Sequence, residues 1–402
     1  MCECRPGVGR SLLRSPADRY RSAGDPFSGP SLVAAFLIAR SRAGLDEPEG
    51  FVPQPFRTGR SRDRSHPART GGPAVMTWLV TGGAGYIGSH VVRAMLEAGE
   101  DVVVLDDLST GDHGRIPGVP LVEGDVLDGA RVAATLDEHA VRGVVHLAAK
   151  KSVEESVRRP LYYYRQNVEG LRVLLQAVTE AGVPTLVFSS SAAVYGAPDV
   201  RLVGEDTECR PVSPYGRTKL IGEWMIRDVA AATGLRYANL RYFNVAGTAD
   251  PALTDRGVSN LVPMVFDRLD RKQAPRIFGD DYDTPDGTCI RDFIHVADVA
   301  SAHVAAAAAL STQRIDDLTV NIGRGEGVSV REMVTTIRAV TGTAAEVWSE
   351  PVVGPRRAGD AARVVASADA IRAALGWRAR HGVEEMVASA WSGWTVSHPR
   401  TR

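Results

Sequence analysis

Trp78-Leu79-Val80-Thr81-Gly82-Gly83-Ala84-Gly85-Tyr86-Ile87-Gly88 decides the fold: an apolar strand runs into a glycine-spaced turn and then into a helix. Gly82 permits the tight turn, and Gly85 lets the backbone approach a pyrophosphate. Gly88 lets the new helix lie close to the strand, with its N-terminus facing phosphate charge. Glycine spacing of this kind also occurs in plain glycine-rich turns, so the context carries the reading. A second apolar strand, Asp101-Val102-Val103-Val104-Leu105, follows. Asp106 stands at its end, about 20 residues past the glycines. An acidic group there suits the free ribose hydroxyls of NAD and would repel the extra phosphate of NADP.

From Met76 onward the pattern alternates. Apolar strand-like runs occur at Trp78–Thr81, Val102–Leu105, Val119–Val122, Val144–Leu147, Thr185–Ser189 and Tyr237–Leu240. Between them lie helix-like segments, Ser89–Ala98, Arg131–His139, Val168–Ala181 and Gly216–Thr233, with apolar residues three or four apart. This rhythm predicts an α/β protein with a Rossmann-type, doubly wound parallel sheet, binding at the carboxyl ends of its strands. After about Asn244 the alternation loosens, with further helices around Val330–Val340 and Ala368–Leu375. The expected division is an NAD-binding domain over 76–245 and a smaller, mixed C-terminal substrate lobe over 246–402, some of whose segments return to the first domain. Residues 1–75 are rich in Arg, Pro, Gly and Ser and show neither period. They read as a disordered extension, or as the product of a start placed upstream of a natural Met76.

The 402 residues carry a formal net charge of -1, which offers no field to attract nucleic acid or an anionic membrane surface. The longest apolar run near the start, Leu32–Ala39, is too short to span a bilayer, so a cytoplasmic protein is expected. Cys2, Cys4, Cys209 and Cys289 are too scattered for a disulfide framework and read as free thiols. His90, His146 and His295 lack partners at ligand spacing, and no metal is expected.

Tyr215 and Lys219 lie four residues apart just after Ser213-Pro214, where proline starts a helix. On one helix face, an ammonium would lower the phenol pKa and a positive nicotinamide would lower it further, making Tyr215 a base near neutrality. Upstream, the strand Leu186-Val187-Phe188 ends in Ser189-Ser190-Ser191-Ala192-Ala193-Val194-Tyr195-Gly196, which puts hydroxyls at the carboxyl edge of the sheet. One of these serines can share a substrate proton with Tyr215, while the others cap the strand end.

Thr-Gly-Gly-x-Gly-Tyr-Ile-Gly-Ser-His, Ser-Ser-Ser-Ala-x-Val-Tyr-Gly, Ser-Pro-Tyr-Gly-x-x-Lys, Leu-Arg-Tyr-Phe-Asn (Leu240–Asn244) and Arg-Asp-Phe-Ile-His-Val-x-Asp (Arg291–Asp298) occur in this order. With these motifs the chain resembles the extended short-chain dehydrogenase/reductase family, and within it the UDP-glucose 4-epimerase branch, from about Thr77 to His398. The resemblance implies that Tyr86 and Ile87 flank the pyrophosphate, that Asp106 binds the adenosine ribose, and that Asp125 and Val126 lie along the adenine. It makes Lys151 and Asn167 cofactor contacts, places Phe243 beside the nicotinamide, and gives Ser191, Tyr215 and Lys219 catalytic roles. Asn244, Asn260, Arg291 and Arg357 would contact the sugar nucleotide. The arginines also suit a diphosphate on chemical grounds, since planar guanidinium forks match its oxygens. A plainer reading pairs Arg291 with Asp292 or Asp298 and leaves Arg357 a solvated surface charge.

The activity so implied is NAD-dependent interconversion of UDP-glucose and UDP-galactose through a 4-keto intermediate, with NAD retained and the enzyme a homodimer. Two departures stand out. Ala193 replaces a threonine frequent in the family, and Val364 stands where relatives confined to plain hexoses carry a tyrosine. The smaller side chain would admit the N-acetyl group of UDP-GlcNAc or UDP-GalNAc. The rival on this scaffold is a nucleotide-sugar 4,6-dehydratase or a UDP-glucuronate decarboxylase, but the dehydratase carboxyl pair is replaced here by Ala192-Ala193. A non-catalytic dinucleotide sensor is the rival of another class.

Overall fold

Side-chain alternation in the first strand sets how the sheet is buried. In β1 (Thr77–Thr81) Trp78 and Val80 face one side and Leu79 the other, and all three are fully buried. A strand covered on both faces belongs inside a parallel sheet. The computed structural model describes residues 76–342, 350–357 and 359–398, so the reading of 1–75 lies outside the described residues.

The further strands are β2 (Asp101–Asp106), β3 (Leu121–Glu123), β4 (Gly143–His146), β5 (Thr185–Ser191), β6 (Arg236–Tyr242), β7 (Asn244–Ala246), β8 (Arg276–Phe278), β9 (Ile290–His295), β10 (Asp317–Ile322), β11 (Gly327–Ser329), β12 (Val352–Gly354) and β13 (Arg363–Val364). Seven of them form one parallel sheet in the order β10-β6-β5-β4-β1-β2-β3. The order reverses between β1 and β4, the crevice where doubly wound sheets bind ligands. A second sheet joins β7, β11 and β13 to β9, and β8 pairs with β12.

Helices α1 (Tyr86–Glu97), α2 (Gly129–Glu138), α3 (Val153–Arg158), α4 (Gly170–Glu180), α5 (Pro214–Thr233), α6 (Leu261–Asp270), α7 (Val296–Ser311), α8 (Val330–Thr341), α9 (Asp369–Leu375) and α10 (Val383–Ser397) complete the fold. Trp78 and Val80 pack with Val91 and Met95 of α1 and with Ala302, Ala306 and Leu310 of α7. On the opposite face Leu79 packs with Leu136 of α2 and Leu174 and Val178 of α4. The helices on both faces and the parallel strands make this a Rossmann-type α/β fold.

Three features differ from the sequence reading. Helix α7 and strand β10 extend the main sheet, and neither was read from the sequence. Helix α7 escaped notice because it is alanine-rich and apolar on most sides, buried at Ala300, Ala302, Ala306, Ala307 and Ala309, so it has no single apolar stripe. The helix read from Val168 begins earlier, with a helical turn at Pro160–Tyr163 followed by a π-helical turn at Tyr164–Glu169. The strand read at Val119–Val122 forms only over Leu121–Glu123.

Candidate active site

The turn after β1 is shaped by contacts that only glycine allows. Gly82 adopts φ +72° and donates its N–H to Leu105 at the end of β2. A Cβ at Gly88 would lie 2.1 Å from the Gly82 carbonyl oxygen, so α1 is pressed against the turn. Gly85 is different: its Cβ would meet only the Gly82 oxygen, at 3.3 Å, and otherwise open space. No side chain caps α1, and no acidic residue occupies its first turn. Open backbone donors at a positive helix end make a cradle for pyrophosphate.

That cradle lines a cavity of about 420 Å³. Gly82, Gly85, Tyr86, Ile87, Gly88, Asp106, Asp125, Val126, Lys151, Tyr215 and Lys219 all contribute to its wall. Asp106 is 6 % exposed and accepts the N–H groups of Ala84 and Leu108, each at 2.9 Å. Burial raises its carboxyl above the usual range, while those two N–H groups hold it down. Each oxygen keeps a lone pair for a ribose hydroxyl, so the residues present fit NAD. Lys150, next to Lys151, reaches across the rim to Ser109 at 2.7 Å and Asp107 at 3.3 Å.

Asn167 and Phe243 do not line the cavity. The π-helical turn aims Asn167 at the Lys150 loop, where its amide bonds both Lys150 backbone groups and the Thr218 hydroxyl. It braces the cofactor wall from behind. Phe243 is packed with Val194, Tyr195, Val203 and Leu220, and its neighbour Tyr242 takes the place in the wall. Adjacent residues of an extended chain point opposite ways, which motif order alone does not resolve.

At the other end of the cavity the Tyr–Lys–Ser group assembles. Ser213 caps α5 by accepting the Gly216 N–H at 3.1 Å, with Pro214 at the first helical position. A Cβ at Gly216 would lie 2.4 Å from the Ala193 carbonyl oxygen, so the helix start is pressed onto the end of β5. Tyr215 is thereby brought beside Ser191, near enough for that hydroxyl to hold its pKa down. Ser191 also accepts the Ala193 N–H at 3.2 Å.

The electrostatics correct one expectation. The Lys219 ammonium donates to the Ser189 carbonyl at 2.8 Å and lies 4.9 Å from the centre of the Phe188 ring. Burial lowers its pKa to about 8, with Glu223 one turn away opposing the shift. Burial raises Tyr215, and the Ser191 hydroxyl pulls it partway back. So the ammonium does not by itself bring the phenol to neutrality; desolvation wins.

Behind this edge is a network that local sequence spacing did not reveal. Arg241 of β6 forms a two-pronged ion pair with Glu223 of α5 at 2.9 and 2.5 Å, both side chains under a tenth exposed. Ser190 donates to Glu223, and Arg241 also donates to Tyr195 at 2.8 Å. The only hint was Glu223 standing one turn beyond Lys219 on α5.

The remaining predicted residues fall outside the wall of this cavity. Asn260, beside the lining residue Ser259, donates to Asp255 at 2.8 Å. Asn244 is exposed at the start of β7. Arg291 and Val364 sit together at β9, and Arg357 lies against β8. Arg291 pairs with Asp360 at 2.7 Å, rather than with Asp292 or Asp298, whose carboxylates hold backbone N–H groups instead. Arg357 lies over the Phe278 ring at 4.0 Å, and Val364 is in register beside Arg291. His146 bonds Thr81 at 2.7 Å and stacks on Phe188, and burial takes it to a pKa of about 3, so it is a neutral core residue. Among the described residues no group of three or more His, Cys, Asp or Glu is placed to hold a metal.

A tyrosine and a lysine facing a dinucleotide cradle across one cavity, with Ser191 beside the tyrosine but outside the cavity wall, is the arrangement of a short-chain dehydrogenase/reductase. The sequence matches the NAD dependent epimerase/dehydratase family over residues 78–323, and the chain belongs to that family. A UDP-glucose 4-epimerase of Azospirillum brasilense is 47% identical over 321 residues, 78% of this chain and 90% of that one. The crystal structure of UDP-glucose 4-epimerase from Brucella ovis in complex with NAD matches with a TM-score of 0.74 at 40% identity, covering 79% of this chain and 97% of that one. The Stenotrophomonas maltophila UDP-glucose-4-epimerase, with bound NAD and formylated UDP-arabinopyranose, matches with a TM-score of 0.75 at 42% identity, over 81% and 100% of the two chains.

Proposed function

We propose that the protein interconverts UDP-glucose and UDP-galactose through a 4-keto sugar, with NAD held in the cavity between β1 and β4. The observation that carries this reading is that Tyr215 and Lys219 share one cavity with the glycine cradle, with Ser191 beside the phenol. Bound NAD supplies a hydride acceptor that can return the hydride to either face of C4. Tyr215 takes the proton of the sugar 4-hydroxyl at its Oη and later gives it back, with Ser191 Oγ in position to share it. Lys219 holds the end of β5 through the Ser189 carbonyl and so fixes where Ser191 stands. Ala192 and Ala193, without carboxyls, give a 4-keto sugar no route to dehydration.

On this reading NAD belongs to residues 76–245, and the sugar nucleotide to 246–402 together with Ser191 and Asn244. Asn244, Asn260, Arg291 and Arg357 hold the nucleotide and diphosphate, leaving the hexose free to turn over. Val364, in register beside Arg291, favours a second reading: its small side chain admits N-acetylated UDP-sugars as well. Val157 of α3, Leu161 and Trp224 of α5 are 63%, 81% and 48% exposed, which supports a homodimer through these helices. Cys209 and Cys289 are free thiols, and we place the protein in the cytoplasm.

The test is turnover of UDP-galactose and UDP-GlcNAc in parallel by the purified protein without added NAD. Epimerisation of UDP-galactose is expected; failure with both sugars even after NAD is added sinks the reading. Turnover of UDP-galactose alone removes only the part resting on Val364. Light scattering during gel filtration checks the dimer.

A further inference from the structure

A second cavity, of about 240 Å³, opens between the turn after β10, the segment following α9 and the start of α10. It shares no lining residue with the cavity between β1 and β4. Its wall carries Arg324, Arg372, Arg378, Arg380 and His381 against a single carboxylate, Glu326.

The positions of these cations are built in. Asp292, wholly buried, accepts the backbone N–H groups of Arg324 and Gly325, each at 2.9 Å. Asp298, 1 % exposed, accepts those of Arg380 and His381 at 3.0 and 3.1 Å. The two buried carboxylates thus clamp the backbone of both loops and leave the guanidinium groups of Arg324 and Arg380 facing other partners. Trp377, its indole N–H held by Ser301 at 2.9 Å, stiffens the wall.

The guanidinium groups are under-used. Arg324 pairs with Glu326 through Nη2, but its Nη1 is buried with no hydrogen-bond partner among the described residues. A buried charged donor left unsatisfied is costly, so Arg324 gains from any ligand oxygen that draws it out of its pair with Glu326. The carboxylate paired with Arg372, that of Asp369, stands 3.7 Å away, and Arg378 and Arg380 are exposed. His381 Nδ1 lies 3.0 Å from Asp298 without a hydrogen bond between them, and the permanent positive charge of the wall is that of the arginines.

We propose that this cavity binds a phosphoryl group, separately from the NAD and sugar-nucleotide sites. Guanidinium forks match tetrahedral phosphate oxygens, and several converging on one cavity select a dianion over a monoanion. The group could arrive as inorganic phosphate or as the phosphate of a nucleotide, so both are tested.

Calorimetric titration of inorganic phosphate, and separately of UMP, into the NAD-loaded enzyme with excess UDP reads the site directly. Wild type is expected to bind at least one of them, and tighter binding of UMP would identify a nucleotide as the source. Arg324→Gln and Arg378→Gln are each expected to weaken binding roughly tenfold, the worth of one charge-assisted contact. Turnover of UDP-galactose should stay within about twofold of wild type, because neither side chain lines the first cavity. Should Arg324→Gln fail to fold, the exposed Arg378 carries the test. No binding by wild type at millimolar ligand, or binding that both variants keep unchanged, overturns the proposal.

Discussion

Gly88 and Gly85 stand three residues apart in the same turn, yet the structure assigns their substitution to alanine different consequences. The Cβ of Gly88→Ala would sit 2.1 Å from the Gly82 carbonyl oxygen, 2.8 Å from Gly83 Cα and 2.9 Å from the Gly82 carbonyl carbon. Ordinary contact begins at 3.4 Å, so α1 must retreat by roughly 1.3 Å from a backbone that cannot yield as a side chain would. Overpacking of that kind costs about 1–3 kcal/mol. The retreat also withdraws the helix N-terminus from the phosphates, so stability and cofactor affinity fall together. Gly85→Ala meets a single atom at 3.3 Å, and its φ of -76° is one that alanine adopts freely. Its stability should change by no more than about 0.5 kcal/mol, because only the space facing the cofactor is filled. NAD affinity should fall about tenfold or more, since a methyl group stands where the pyrophosphate approaches. Differential scanning calorimetry of the cofactor-free proteins and titration with NAD separate the two effects. The reasoning fails if Gly88→Ala matches wild type in both, or if Gly85→Ala loses as much stability as Gly88→Ala.

Tyr215→Phe should lower kcat by about 10²–10⁴ and leave NAD content unchanged, because the phenol supplies the proton transfer and not the cradle. Ser191→Ala removes the hydroxyl that lowers Tyr215, so the pH limb belonging to this phenol should move to higher pH; a limb that stays in place refutes the link. Glu223→Gln leaves the buried Arg241 without its counter-charge and should cost about 3–5 kcal/mol in chemical denaturation, with a joint Glu223→Met and Arg241→Met variant recovering part of the loss. For Lys219 the folded pKa is lowered from 10.5 to about 8, so the unfolded chain binds more protons across that window. Wild-type stability relative to Lys219→Met should therefore rise with pH from about 8 toward 10.5 and be flat below about 8; a flat difference throughout counts against a charged, buried Lys219.

What could be read from sequence depended on how local the cause was. The glycines, Asp106 and the Tyr215–Lys219 pair act through spacing along one turn or one helix, and the structure places all of them around one cavity. Strand boundaries moved by one or two residues, as ladder ends do. Other features arise only when distant segments meet. Whether Tyr242 or Phe243 faces the cofactor is set by the pairing of β6 with β5 and β10. The partner of Arg291 is 69 positions away, and that of Arg241 lies on the preceding helix. The π-helical turn holding Asn167 has no sequence period of its own. In α7 the same burial that places the helix against the sheet erased the apolar stripe by which it would have been seen.

The ion pair between Arg291 and Asp360 bears on how the proposed diphosphate contact works. Arg291 donates one guanidinium nitrogen to its own backbone neighbour Ile290 at 2.9 Å and the other to Asp360 at 2.7 Å. A diphosphate must share or displace Asp360 to gain the two-pronged contact that makes an arginine worth having there. The side chains of Arg291 and Asp360 are 13% and 31% exposed, so the existing pair is partly screened and worth about 1 kcal/mol. Asp360→Asn keeps the size of the side chain and removes the competing charge. If Asp360 competes, KM for UDP-galactose should fall about two- to fivefold, with kcat little changed, since that energy range corresponds to such a factor. A KM that rises would mean the opposite: the carboxylate holds the guanidinium in the pose the diphosphate needs, and its loss releases Arg291 to solvent. Measuring KM against ionic strength decides between the two, because relief of a charged competitor weakens as salt screens it and loss of a positioning contact does not.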